Sequence, residues 1–155
     1  MAHHELDLFA DYHQIHIADV GHRKDDGVTW TDDSVRSRIA LGPYFIAFGT
    51  ARNMNVPIAL DVETDRPDPE LDRWDQVTEC ILECPSGEIL IKGPSEYEPE
   101  SFRTKVPSSR MIVRIMWGGL DTISEDGLSG QDHYAIQMWP GEPQGLDYLK
   151  KHDAT

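Results

Sequence analysis

The chain is poor in positive charge. Fourteen Lys and Arg stand against twenty-eight Asp and Glu, a formal net charge of −14 over 155 residues. A field of that sign repels polyphosphate, so direct binding to DNA or RNA is not expected. It suits a basic protein, a metal ion or plain solubility. Cysteine is nearly absent, with Cys80 and Cys84 the two copies. On a strand their Cα atoms stand about 13 Å apart, beyond disulfide reach. Two free thiols and a reducing, cytoplasmic location are therefore expected. No apolar run approaches the ~18 residues of a membrane helix. Met1 to Asp7 carries no basic segment leading into an apolar one, so neither a membrane partner nor a leader is expected.

Catalytic signatures are missing as well. There is no Gly-rich phosphate loop, no HExxH, no pair of CxxC motifs and no G-x-S-x-G. No catalytic residue is assigned, and the chain reads as a binding protein and not an enzyme. Seven histidines raise a metal question. His13 and His16 are three apart and fall on opposite faces of a strand, and His3 and His4 sit at the terminus. His133, with Asp132 beside it, meets His13 only if the two strands face each other across a sheet, a weak basis for a metal centre. No metal and no cofactor is assigned. Carboxylates are so plentiful that a glycosidase-like pair can be drawn anywhere, and the acid-rich loop lacks the spacing of an EF-hand.

What the chain does hold is core material. Four Trp, five Tyr and four Phe within 39% apolar residues are enough to fold one domain spanning 1–155, with about 150–155 frayed. Residues 5–10 and 12–20 alternate as strands, with Ile15 and Ile17 on one face and His16 on the other. A polar loop follows over 21–27. Thr31 then caps a helix near residues 32–41, with Asp32 and Asp33 in its first turn, Val35 and Ile39 on one face, and Gly42-Pro43 as its stop. Residues 44–51 form an apolar run that reads as a strand buried on both faces. An Arg52–Asn55 turn leads to a second strand over 56–63, predicting a hairpin in which Pro57 marks an edge or a bulge. Residues 74–84 alternate with Val77 and Ile81 opposite Cys80 and Leu82. Pro85–Glu88 turns that strand into 88–93 as a second hairpin. Met111, Val113, Ile115 and Trp117 share a face with Arg114 opposite, and 133–139 is the last strand. Some eight short strands and one helix predict a mostly β chain, an antiparallel β-sandwich, with a partly open β-barrel as the alternative.

Three stretches occur in a telling order: Tyr12-His13-Gln14-Ile15, then Trp30-Thr31-Asp32-Asp33-Ser34-Val35, then Ile46-Ala47-Phe48-Gly49-Thr50-Ala51-Arg52-Asn53. Together they resemble the competence protein ComJ family. The resemblance covers about the first 60 residues, with an echo at Met111 to Trp117, and does not place Arg66 to Ser109. It implies a small inhibitor that binds and silences a DNA-degrading nuclease associated with DNA uptake, or an immunity-type relative of one. It brings no contact residues with it. The motif residues themselves read as scaffold, with Trp30 a core anchor and Arg52 the partner of an Asp at the helix start.

The acids add a candidate surface. Thirteen acids and three bases fall between Asp61 and Glu100, whereas the remaining residues hold fifteen acids and eleven bases. Charge that concentrated goes beyond what solubility needs. A nuclease groove is lined with Lys and Arg, and carboxylates can occupy the positions of phosphates there. Complementary fields raise association rates toward ~10⁸–10⁹ M⁻¹s⁻¹ at low salt, while affinity rests on a few desolvated anchors. The candidate partner-binding residues are Asp61, Glu63, Asp65, Asp68, Glu70, Asp72, Glu96, Tyr97 and Glu98, with Trp74 a further aromatic candidate. The competing reading is a β-sandwich that binds a small ligand or metal ion, with or without enzymatic activity. That reading calls for a concave pocket with convergent polar groups.

Overall fold

The computed structural model describes residues 2–22, 30–142 and 146–152, with the side chains of His22 and Glu98 outside that set. Eleven strands and one α-helix are found there: β1 (Ala2–Phe9), β2 (Gln14–Asp19), α1 (Asp32–Ser37), β3 (Ile39–Gly42), β4 (Phe45–Gly49), β5 (Asn55–Val62), β6 (Gln76–Glu83), β7 (Glu88–Lys92), β8 (Phe102–Lys105), β9 (Arg110–Gly118), β10 (His133–Pro140) and β11 (Asp147–Lys150). They form a six-stranded sheet, β1-β5-β10-β9-β6-β11, and a five-stranded sheet, β3-β4-β2-β7-β8. The result is a β-sandwich, antiparallel except where β10 runs parallel to β5.

Period-2 patterning builds the layer between the sheets. Val56, Ile58, Leu60 and Val62 of β5 point inward, as do Met111, Val113, Ile115 and Trp117 of β9. They meet Ile15, Ile17, Ile46, Phe48, Ile89 and Ile91 from the other sheet. Trp117 also ties the sheets together, since its indole N–H donates to the Gly49 carbonyl at 2.8 Å and its ring stands edge-on to Phe48. Cys80 and Cys84 are buried free thiols.

Both expected hairpins are instead crossings between sheets. β4 and β5 lie in different sheets, and so do β6 and β7. A turn of a few residues spans the ~10 Å between packed sheets as readily as the ~5 Å between neighbouring strands. What decides is burial. β4 has an apolar face on each side, and Phe45 and Ala47 pack with Ala18, Leu90 and Trp30 on the outer side of the five-stranded sheet. Trp30 is thus an anchor of that outer cluster and not of the central core. Pro57 lies neither on an edge strand nor at a bulge; the ladder from β5 to β10 begins only at Ile58, so β5 is still unpaired on that side at Pro57.

The helix is shorter than its sequence signal. Thr31 caps it, with Ser34 N–H donating to the Thr31 hydroxyl at 3.1 Å and the Ser34 hydroxyl accepting from Thr31 N–H at 2.7 Å. Arg38 then adopts a left-handed conformation, φ 63°, that stops the helix. Ile39 enters β3, and Val35 is left 63% exposed in place of sharing a buried face with it. At the C-terminus, 147–150 pairs with β6 and His152 accepts from Arg38; residues 153–155 lie outside the described set, as does the expected 21–27 loop from 23 onward.

Arg52 does not reach the helix. It pairs with Asp132, whose other oxygen accepts the Tyr134 hydroxyl, and that hydroxyl accepts Ala51 N–H at 2.8 Å. This buried network fixes the 50–53 turn, which in turn holds His13. Asn53 accepts His13 N–H at 3.2 Å, and Thr50 N–H donates to the His13 carbonyl at 2.9 Å. His13 precedes β2 and has φ 58°, so the opposite-face argument for His13 and His16 does not describe it.

Candidate acidic interface

Part of the acidic stretch, from Glu63 to Asp75, forms a strap across the outer face of the six-stranded sheet. β5 ends at Val62, and Glu63 N–H still donates to Met138 at 2.8 Å. Pro67 and Pro69 then keep the chain out of helix. Beneath them lies Arg114 of β9, with no exposed side-chain surface. Its guanidinium donates to Glu79 at 2.9 Å, to Gln137 at 2.6 Å and to the Pro67 carbonyl at 2.9 Å, and it lies 4.7 Å over the Trp139 ring. Arg66, from the strap itself, stacks on the same ring and reaches Glu79 at 2.9 Å. Leu71 and Trp74 pack on Val77, Met116 and Ala135. Lys150 donates to the Leu71 carbonyl at 3.1 Å, and Asp75 closes the strap by donating to Trp117 and accepting from Leu120, each at 2.8 Å.

The apolar groups are drawn inward and the acids are turned out, beside two exposed bases, Arg66 and Arg73, of which Arg73 pairs with Glu70 at 3.3 Å. Asp65, Asp68, Glu70 and Asp72 are all exposed on a backbone held from below. Asp68 accepts Glu70 N–H at 3.2 Å, and Glu70 takes a left-handed conformation, φ 48°. Glu63 is half-buried, against a recess shared with Ala2, Thr64 and Lys105. Asp61 is half-buried on the outer face of β5, where it meets His3 of β1 at 2.6 Å. Hydrogen bonds to Asp61 and then Glu5 raise the pKa of that exposed imidazole above its ordinary value.

Two carboxylates of this face escape a reading by composition. Glu5 and Asp7 are exposed on the outer side of β1, opposite Ala59 and Pro57. The alternation His3-x-Glu5-x-Asp7 carries the signal, once β1 is taken to begin at Ala2. Glu79 is buried against Arg66 and Arg114, and Glu83 is paired with Arg110.

Glu96, Tyr97 and Glu98 lie elsewhere, in the connection from β7 to β8 at the edge of the five-stranded sheet. A Cβ at Gly93 would stand 1.8 Å from the Phe9 carbonyl oxygen, so glycine lets this connection pass against the end of β1. Tyr97 is 67% exposed, Glu96 is half-buried, and the Glu98 side chain is outside the described set. No hydrogen bond or ion pair among the described residues joins this group to the strap. Of the two aromatic candidates, Trp74 packs inward, 5.3 Å from the His133 ring, and Tyr97 is the accessible one. His133 against Trp74 and Asp132 engaged with Arg52 leave the His13–His133–Asp132 grouping unformed. Among the described residues no group of three or more His, Cys, Asp or Glu is placed to hold a metal ion.

No family model matches the sequence, and no curated protein matches it. Solved structures do. The chain is similar to the crystal structure of ComJ, inhibitor of the DNA degrading activity of NucA, from Bacillus subtilis, with a TM-score of 0.67 and 15% identity over 91% of this chain and 96% of that one. It is also similar to crocagin biosynthetic gene J, with a TM-score of 0.60 and 17% identity over 92% of this chain and all of that one. The fold is ComJ-like over nearly the whole length, well beyond the first 60 residues that carry the sequence resemblance.

Proposed function

We propose that this protein is an inhibitor that binds a DNA-degrading nuclease and keeps it from its substrate, with the acidic strap as the contact face. The observation that carries the reading is the strap's construction: four exposed carboxylates, Asp65, Asp68, Glu70 and Asp72, on a segment pinned from beneath by Arg114, Leu71 and Asp75. The fold it shares with a nuclease inhibitor supports the choice of partner. Preformed carboxylates need little ordering on binding, so more of the interaction energy appears as affinity. Facing a groove lined with Lys and Arg, they occupy phosphate positions and steer the approach. The protein itself performs no chemistry, contacts neither nucleic acid nor membrane, and works in the cytoplasm. In the test, purified NucA and the DNA-degrading nucleases of the organism carrying this gene are assayed on a fluorogenic duplex with increasing amounts of the protein. Stoichiometric loss of cleavage, weaker at high salt, is expected with at least one of them. Full cleavage by every nuclease at large excess of the protein overturns the reading.

A further inference from the structure

Four non-glycine residues among those described have positive φ, and three of them, Tyr12, His13 and Arg38, line one open cleft of about 400 Å³ together with Gln14, Trp30 and Val35. Left-handed backbone at bulky residues is unfavourable and persists only where the surroundings over-determine it; such positions gather at ligand clamps. Here the clamp is visible. Asn53 and Thr50 grip His13, Gly49 N–H donates to the Arg38 carbonyl at 2.8 Å, and the buried Arg52–Asp132–Tyr134 network holds the 50–53 turn that does the gripping. The device presents a Tyr12 ring that is 72% exposed beside a Val35 that is 63% exposed.

Arg38 gives the cleft its polarity. Its Nη1 donates to two neutral acceptors, the Gln76 side chain at 2.8 Å and the His152 carbonyl at 3.4 Å. It forms no ion pair with a described carboxylate, although the chain carries a net charge of −14. Desolvation by partial burial outweighs the opposing pull of Tyr134, Asp121 and Asp75 and lowers its pKa from the ordinary value. Tyr, Trp and Arg are the residue types over-represented among the anchors of protein interfaces, and this cleft brings one of each together.

We infer that the cleft is a second contact site, and that it takes an aromatic side chain of the protein partner lying next to a carboxylate, with the ring against Tyr12, Trp30 and Val35 and the carboxylate on Arg38. The partner's identity rests on the inhibitor reading; the chemistry of the cleft does not. Its one guanidinium, Arg38, is opposite in sign to the strap acids. A partner must therefore offer cations to one surface and an anion to the other, which fixes its orientation.

Two arms test this. In the first, N-acetyl-phenylalanine and its amide are titrated into ¹⁵N-labelled protein. The carboxylate is expected to give saturable shifts at the Trp30 indole and the Gly49 amide in the millimolar range, with binding about fivefold tighter than the amide's. Arg38→Gln removes that preference, Arg38→Lys keeps part of it, and Tyr12→Asn, which tolerates the left-handed backbone, weakens both probes. Absence of saturable shifts, or equal binding of the two probes, overturns the site. In the second arm, with a nuclease that the wild-type protein inhibits, Tyr12→Asn and Arg38→Gln raise the dissociation rate about tenfold and leave association unchanged. Wild-type dissociation in both variants overturns the contact role. If no nuclease binds, the inhibitor reading has failed, and the first arm still decides the cleft.

Discussion

Arg114 carries a full charge with no exposed side-chain surface, and its neighbours explain how. Glu79 supplies the counter-charge, Gln137 and the Pro67 carbonyl take further N–H groups, and Trp139 offers its ring face. Desolvation still dominates and lowers the pKa of the guanidinium below its usual range. Removing such a group is costly mainly because of what it leaves behind. Arg114→Ala is expected to destabilise the fold by about 3–5 kcal/mol, since Glu79 stays buried with only Arg66 to answer it. Arg114→Met combined with Glu79→Leu removes both charges and is expected to recover most of that loss in urea denaturation, while amide exchange over 65–72 quickens because Pro67 has lost its donor. The two thiols follow the same logic with the opposite sign of charge. Burial pushes Cys80 up to about 12 and Cys84 up to about 11, against an ordinary value of 9.0. The unfolded chain therefore releases these protons first as pH rises. Stability is whole below about pH 9 and declines as pH climbs through 11 to 12. Ellman's reagent at pH 8 is expected to find both thiols inert in the folded protein and both reactive in guanidinium.

At the scale of elements, the strap separates two jobs that its composition merges. Leu71 and Trp74 pack inward, the half-exposed Arg66 reaches Glu79 and the Trp139 ring, and together they join the strap to the sheet, while its outward acids are free of that task. Reversing Asp65, Asp68 and Glu70 to Lys is therefore expected to slow association with an inhibited nuclease by about tenfold or more at low salt, with no loss of melting temperature. Stopped-flow kinetics beside a thermal melt checks both halves; unaltered kinetics would remove the strap from the interface. The split between inward and outward was not legible in the sequence, because Glu79 meets Arg114 thirty-five positions away. Most of the strands were legible, though β3 fell largely within the expected helix and β11 carried no readable period. Met111, Val113, Ile115 and Trp117 show the period that the core imposes, and β9 and β10 lie where that period places them. Sheet membership was not, since the connections after β4 and β6 are as compatible with a hairpin as with a crossing. The start of α1 was legible in Thr31, but its stop was hidden, because a left-handed Arg38 carries none of the signal that glycine does. The same blindness covers the cleft, whose left-handed Tyr12 and His13 look like the opening of a strand.

For the whole molecule, the acids have two effects of opposite consequence. A net charge of −14 repels itself within the compact chain and attracts a basic partner outside it. Salt weakens both, because the screening length falls from about 10 Å at 0.1 M to about 3 Å at 1 M. Glu5, Asp7 and the strap acids lie on one outer face of the six-stranded sheet, so their mutual repulsion and their pull on a cation come from the same groups. Raising sodium chloride from low to near-molar concentration is therefore expected to lift the melting temperature by a few degrees while cutting the association rate with the nuclease by tenfold or more. Dissociation, set by desolvated contacts, is expected to move little. Substituting Asp65, Asp68 and Glu70 by Asn, Asn and Gln provides the control, since it removes charge and keeps shape. That variant is expected to melt higher at low salt, to associate more slowly, and to show a flatter salt dependence of both quantities. If salt left the association rate untouched, the acids would be serving stability and solubility alone, and the contact would have to lie on another face.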